Sequence, residues 1–510
     1  MVATSHPTAA HTALKTLEKG GNAVDAAIAA ALVLPICEPQ MTGLYGDMFA
    51  LINHPGSKEI IGLNGSGKSP NGLSANLIRS QGNKRIAPNS PHSITLPGAI
   101  AAFETLAKDY SQLGLAEACK PAIYYAEQGI PVAPRVAFDW QKSSNNLLSH
   151  ARTHYLFNGA PPKPGQIFRA PLQAKVLKKI AKYGSKGFYD GDVANDIINS
   201  LKKIGGVHTF DDLNNVTCEY VSPINADYNG TTLIELPPNG QGATALLLAK
   251  ILSNFDYSKL DPLGYERIHL EAEATKLAYR VRNRMIADKK FLTADISTFY
   301  DQQSASNLAN LIDLKTASPN LESQTEEVHL DTVLVTVVDR NRCAVSLIFS
   351  IFHSFGSGHA SEKYGLIFQN RGSGFTLETK HPNEVAGNKR PLHTIIHAMA
   401  KKKDELQLVF GVMGGQYQPA GHVRILSNLV DFDQDIQTAI DNPRSFPDSS
   451  GLLLELGYDK SIFDQLKLMG HQVLRPQSPL GGAQGIVIDN KRGILIGGSD
   501  PRKDGMAIGY

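Results

Sequence analysis

Thr332 and Ser350 are the residues whose types and spacing point most directly to chemistry. Thr332 opens an alternating apolar run, Val333 to Val338. Asp339-Arg340-Asn341-Arg342 has turn chemistry, and Cys343 to Ser350 reads as the return strand. Pairing Asp339 with Cys343 sets Thr332 opposite Ser350 at the open end of this hairpin. Arg342 stands where a three-residue hairpin loop prefers glycine, which leaves a one-residue slip open. Opposite residues of an antiparallel pair have Cβ atoms about 4.5–5.5 Å apart, so two hydroxyls would meet. Taken alone, such a pair is an ordinary sheet stabiliser. Its location adds a second reading. Thr332 follows a polar, Ser/Thr/Glu-rich segment, 310–328, which reads as exposed and mobile. A cut before Thr332 would free an α-amine of near-neutral pKa beside the hydroxyl. Nucleophile and base would then share one residue.

An acyl-transfer nucleophile also needs an oxyanion hole. A strand over Leu406–Val412 runs to Gly414-Gly415 and then into a helix. Consecutive glycine amides at such a turn can approach an oxygen closely. A glycine turn required only by sterics explains the same residues.

The elements that must position these groups follow from periodicity. Gly20–Leu34 reads as a small-residue helix, and Glu38–Ile52 turns through Gly43 and Gly46 into a strand. Gly56–Pro97 reads as loop, and 98–205 as mostly helical. A strand at Thr231–Leu236 precedes helices at Ala243–Leu252 and Gly264–Ala287. The texture becomes β near residue 330, the clearest composition break in the chain.

Composition narrows the classes. The chain has 510 residues, 42% hydrophobic, with a formal charge of +2. Length alone is a prior for about three domains. The near-neutral balance gives no electrostatic case for nucleic acid, and the apolar content argues against disorder. Cys37, Cys119, Cys218 and Cys343 form no CxxC pair and read as free thiols in a reducing compartment. The N-terminal stretch lacks a secretory pattern, and Ala26–Cys37 is too short for a bilayer. The expectation is a cytoplasmic protein without a membrane partner. Gly62–Ser69, GLNGSGKS, matches the phosphate-loop pattern, but Pro70 pushes Ser69 away from the helix that this mechanism needs. His422 reads as structural. Asp500 and Arg502 read as a brace for the sheet, with pairing to each other as the alternative, and spacing alone does not decide whether Gln416 and Gln418 reach a pocket. No metal-ligand spacing is visible, and the chemistry requires neither metal nor cofactor.

At these residues the chain resembles the gamma-glutamyltranspeptidase family of N-terminal nucleophile hydrolases. The motifs run in order: GGNAVDAAIAAAL, EPQMTGLYGDMF, TLPGAIAAF, PAIYYAEQGIPV, EAEATKLAYRVRN, DTVLVTVVDRNRCAVS, GVMGG, DNPR and SDPRKDG. The resemblance implies an α+β fold, a four-layer αββα sandwich. It implies autocleavage between Asp331 and Thr332, giving a large fragment, 1–331, and a small one, 332–510. These would stay together as a heterodimer, or as a dimer of such heterodimers. It implies Thr332 as nucleophile in self-cleavage and hydrolysis, Ser350 as its hydroxyl contact, and Gly414 and Gly415 as oxyanion glycines.

The departures bear on substrate. The family's carboxylate-binding Arg falls on Ser66, and an Asn falls on Phe352. The acidic pair that holds a glutamyl amine falls on Arg371 and Gly374, and a double serine on His393-Thr394. The segments QNRGSGF, KRPLHT, FGVMGGQYQP and SDPRKDGMAIGY resemble the oxamate amidohydrolase-like branch instead. That branch implies hydrolysis of oxamate to oxalate and ammonia in purine and allantoin breakdown. Phe352, His353, Arg371, His393 and Thr394 are the expected contacts for a small carboxylated amide, since a guanidinium suits a carboxylate. A gamma-glutamyl or glutathione hydrolase, and an uncleaved, inactive scaffold, are the alternatives.

Overall fold

The computed structural model describes residues 1–320 and 332–510. Residues 321–331, which include Asp331 and the second part of the polar segment 310–328, lie outside the described residues. Strand alternation builds the architecture. In the hairpin, Val333, Val335 and Val337 face one way, into a core shared with the helix Ala23–Cys37. Leu334 and Val338 face the other way, into a core shared with Ile395, Met399 and Val409. A strand buried on both faces reads as a continuous apolar run, as this one does. Among the described residues, the two main sheets have seven and six strands. Their inner faces meet, and helices cover both outer faces. The fold is an α+β four-layer αββα sandwich.

The pairing of Val333–Val338 with Ala344–Ser350 sets Phe349 opposite Val333 and Ala344 opposite Val338, the register expected from the sequence. The turn succeeds without glycine. Arg342 adopts φ 66°, and the Asp339 carboxylate accepts the Asn341 and Cys343 amides at 2.9 and 3.0 Å. Its other oxygen accepts the Ala23 amide at 3.0 Å, fastening the turn to a helix N-terminus. That helix is capped by Asn22, whose side chain accepts from Val24 and Asp25 while Asp25 accepts from Asn22. Such a cap contributes about 1 kcal/mol.

Parts of the chain far apart in sequence alternate within the first sheet. Val2–Thr4 lies between Met506–Ile508 and Val333–Val338, and Asp47–Asn53 lies against Ala344–Ser350. A single cut near residue 331 would leave the halves interleaved.

Two expectations change. The loop-rich stretch 56–97 contains a strand, Ile60–Gly65, and a short helix, Ala75–Ser80. Its Ile60-Ile61-Gly62-Leu63 run gains ladders from Asp47–Asn53 and, far along the chain, from Glu219–Val221, partners that local reading does not supply. The polar segment is tied down where it is described. Asp313 O lies 2.7 Å from His269 Nε2, and Ala317 N donates to Met469 O at 2.7 Å. No helix among the described residues is long and apolar enough to cross a membrane.

Candidate active site

Thr332 and Ser350 sit on the inner face of the hairpin, 1% and 0% exposed. Their hydroxyl oxygens are 3.5 Å apart. Ser350 Oγ also accepts the Phe352 amide at 2.9 Å and the Arg371 Nη2–H at 3.3 Å. Two N–H donors hold that hydroxyl in place. Gly46 lies close behind, where a Cβ would come within 2.6 Å of the Ser350 carbonyl.

Arg371 is completely buried. Its Nη1 donates to Thr394 Oγ1 at 2.7 Å, and its guanidinium stacks on the Phe352 ring at 4.0 Å. Phe352 holds φ 79°, an uncommon conformation for an aromatic residue, and that turn lays its ring against the cation. Two hydroxyls and a ring thus aim a planar, permanently charged donor at the neighbourhood of Thr332.

His353 and His393 take different positions. His353 N donates to Asn370 Oδ1 at 3.1 Å, and its Nδ1 is 2.9 Å from Asn370 Nδ2. His393 Nε2 is 3.0 Å from Asp47 Oδ2, and its Nδ1 lies 3.4 Å from the Ile395 amide. That amide makes Nδ1 the acceptor, so Nε2 carries the proton and donates to Asp47. Burial, then the nearby Arg371 charge, pushes the His393 pKa down to about 3. The ring is therefore neutral at ordinary pH. A cleft of about 390 Å³ reaches this region. Phe352 and Thr394 are among its lining residues, whereas His353 and His393 are not.

Asp47 is the organiser that the sequence reading missed. It pairs with Ser350 across the sheet, and Oδ1 accepts Gly67 N, Gln369 Nε2 and Gly98 N at 2.8, 2.9 and 3.2 Å. With His393 on Oδ2, one carboxylate joins four separate segments. The signal available was an acid inside the apolar LYGDMF.

Gly414 and Gly415 follow the strand Glu405–Met413. Ser346 Oγ donates to Phe410 O at 3.2 Å, and Leu334 packs on Gly411. The strand therefore crosses the hairpin and ends toward Thr332. Gly414 has φ +130°, which L side chains rarely adopt, and a Cβ there would come 2.8 Å from Gly481 Cα. Gln241 Nε2 donates to Thr394 O and Gly415 O at 2.6 and 3.1 Å, tying the two walls together. Arg282 braces this bridge, donating to Gln241 Oε1 at 2.9 Å and to Gln416 Oε1. Neither glycine amide donates to a backbone carbonyl among the described residues. This arrangement can hold a developing oxyanion. Gly414→Ala keeps the amide, but its Cβ would meet Gly481 Cα at 2.8 Å and force the turn to shift, so the donor is misaimed; kcat is expected to fall by up to about 10²-fold, the scale for loss of one such donor, in a steady-state assay.

The remaining candidates resolve as structure. In the phosphate-loop match, the amides of Ser66, Gly67 and Ser69 donate to Asn64 Oδ1, Asp47 Oδ1 and Lys389 O. A phosphate cradle needs those amides directed at the ligand. His422 Nε2 accepts the Val412 amide, and its Nδ1 donates to Glu235 at 2.6 Å; burial pushes its pKa down to about 3. Asp500 accepts from Arg444 and from Ala483 N on the second sheet, and Arg502 donates to Glu455 and Asp500. Both acid and base brace the sheet. Gln416 lines the cleft, while Gln418 accepts the Ile396 amide at 2.7 Å. His269, Glu273 and His471 bring possible metal-ligand atoms within 4.8 Å, a grouping whose third member is remote in sequence. The two imidazoles are hydrogen-bonded at 2.8 Å, and Lys276 Nζ holds Glu273 at 2.8 Å, where its charge opposes a metal cation.

Known proteins resemble this chain along nearly its whole length. The gamma-glutamyltranspeptidase family model matches residues 9–510. The glutathione hydrolase-like YwrD proenzyme of Bacillus subtilis is 33% identical, with 100% of this chain and 98% of that protein covered. The oxamate amidohydrolase proenzyme of Klebsiella pneumoniae is 31% identical, with 100% and 98% covered. A crystal structure of cephalosporin acylase from Bacillus halodurans aligns with a TM-score of 0.92 and 33% identity, covering 100% and 96% of the two chains.

Proposed function

Because the chain belongs to the gamma-glutamyltranspeptidase family, whose hydrolases act on amide bonds, we propose that Thr332 is its N-terminal nucleophile. The substrate class is a small carboxylated amide, with oxamate as its simplest member. The observation that carries this reading is the chain of contacts from Arg371 Nη2 to Ser350 Oγ, 3.3 Å, and on to Thr332 Oγ1, 3.5 Å. A carboxylate one bond from the amide carbon reaches the guanidinium while that carbon meets Thr332. Arg–carboxylate pairs are charge-assisted and often bidentate.

The reaction has two stages. Thr332 Oγ attacks the Asp331 carbonyl, the peptide C–N bond breaks, and water hydrolyses the resulting ester. Fragments 1–331 and 332–510 then remain interleaved, and Thr332 gains its α-amine. In turnover that amine takes the Oγ proton as Oγ attacks the amide carbonyl. The Gly414 and Gly415 amides hold the oxyanion. The Thr332 amine returns that proton to the substrate nitrogen, the amide C–N bond breaks, ammonia leaves, and water cleaves the acyl ester to release oxalate.

The gamma-glutamyl alternative needs a carboxylate for the substrate's ammonium. Arg371 and Gly374 occupy the positions of the family's acidic pair, so the charge there has the wrong sign. A direct assay of oxamate against a gamma-glutamyl anilide tests this. Oxamate turnover with at least about 10²-fold lower kcat/KM for the anilide is expected, as like charges brought together at a buried site cost several kcal/mol. The reverse order would replace this reading with the gamma-glutamyl one.

A further inference from the structure

The cleft beside Arg371 is larger and more cationic than oxamate requires. Its 390 Å³ has room for about a dozen waters at ~30 Å³ each, several times what a two-carbon amide fills. Phe352 and Thr394, which both touch Arg371, line it and connect it to the site. Lys84, Arg85 and Arg282 also line it, against a single acidic lining residue, Glu378. Lys84 and Arg85 are exposed and form no ion pair among the described residues. Two cationic groups are thus separated in role. Arg371 is buried beside the nucleophile, and Lys84 and Arg85 stand on the outer rim.

We propose that the leaving half of the substrate carries its own carboxylate, held by Lys84 and Arg85. The substrate class is then an amino acid N-acylated by a short carboxylated acyl group, of the N-oxalyl type. This rests on the reading of Thr332 and Arg371 given above. Thr332 Oγ bonds to the oxalyl amide carbon, the C–N bond breaks, and the nitrogen leaves with the proton held by the Thr332 amine. Water then hydrolyses the oxalyl ester. Oxalate and a free amino acid result, with one water consumed and no redox change. Rim cations also raise the encounter rate of a dianion.

Three substrates test the inference on the cleaved protein: oxamate, N-oxalylglycine and N-isobutyloxamate, the last an isostere of the second whose leaving half is uncharged. The expected kcat/KM for N-oxalylglycine exceeds that for N-isobutyloxamate at least tenfold. That preference should collapse in the double variant K84Q/R85Q and persist in K84R/R85K. Equal turnover of the two N-substituted amides, or a preference that survives K84Q/R85Q, overturns the inference and leaves the amidohydrolase reading standing. Turnover of none of the three, with a gamma-glutamyl anilide hydrolysed, overturns that reading and the inference with it.

Discussion

Thr332→Ala is expected to run as one uncut chain of 510 residues and to hydrolyse no carboxylated amide above background. Removing the hydroxyl removes the atom that attacks in both stages. The loss of turnover should reach roughly 10⁴-fold or more, the scale seen when a covalent nucleophile is deleted. The fold should persist, because the backbone of the hairpin keeps its ladder and only a small buried group is lost. Thr332→Ser retains the hydroxyl and should still be cut. A denaturing gel reads both variants, and a kinetic assay reads hydrolysis. Two fragments from Thr332→Ala would remove Thr332 as the processing nucleophile.

Arg371→Gln separates binding of the substrate carboxylate from self-cleavage. The glutamine keeps a hydrogen-bonding head near Ser350 and Thr394 but loses the charge. Truncating one partner of a buried, hydrogen-bonded charge pair costs about 2–5 kcal/mol. At about 1.4 kcal/mol per tenfold, kcat/KM for oxamate should fall by roughly 30-fold to a few thousandfold. The chain should still divide in two, because the cut uses Thr332 and not the substrate's carboxylate. Arg371→Ala should lose at least as much turnover and adds a cavity beneath Phe352. Oxamate turnover that survives either change would sink the assigned role.

The parts of the site that are local in sequence were legible there. The hairpin register followed from alternation and one turn, and Gly414-Gly415 announced a tight turn at a strand end. The family motifs then placed Arg371 and Thr394 together. What remained hidden depends on contacts between distant segments. Asp47 and His393 are 346 positions apart, and the four segments converging on Asp47 share no local pattern. Gln241 bridges Thr394 and Gly415 from a turn with no chemical signature of its own. Ile60–Gly65 was lost in a Gly/Ser-rich stretch because its ladders come from the strands on either side of it. His393 shows the same limit from the other side. Its identity fitted a ligand contact, but its packing makes it a neutral support for Asp47.

Intact-mass analysis of the purified wild-type protein, followed by an oxamate assay on the same sample, tests the central claim most directly. The predicted result is two masses, fragments 1–331 and 332–510, with the smaller beginning at Thr332 and the sample releasing ammonia from oxamate. A single uncut chain that hydrolyses the amide at full rate would contradict it, since Thr332 would then have no α-amine to serve as base.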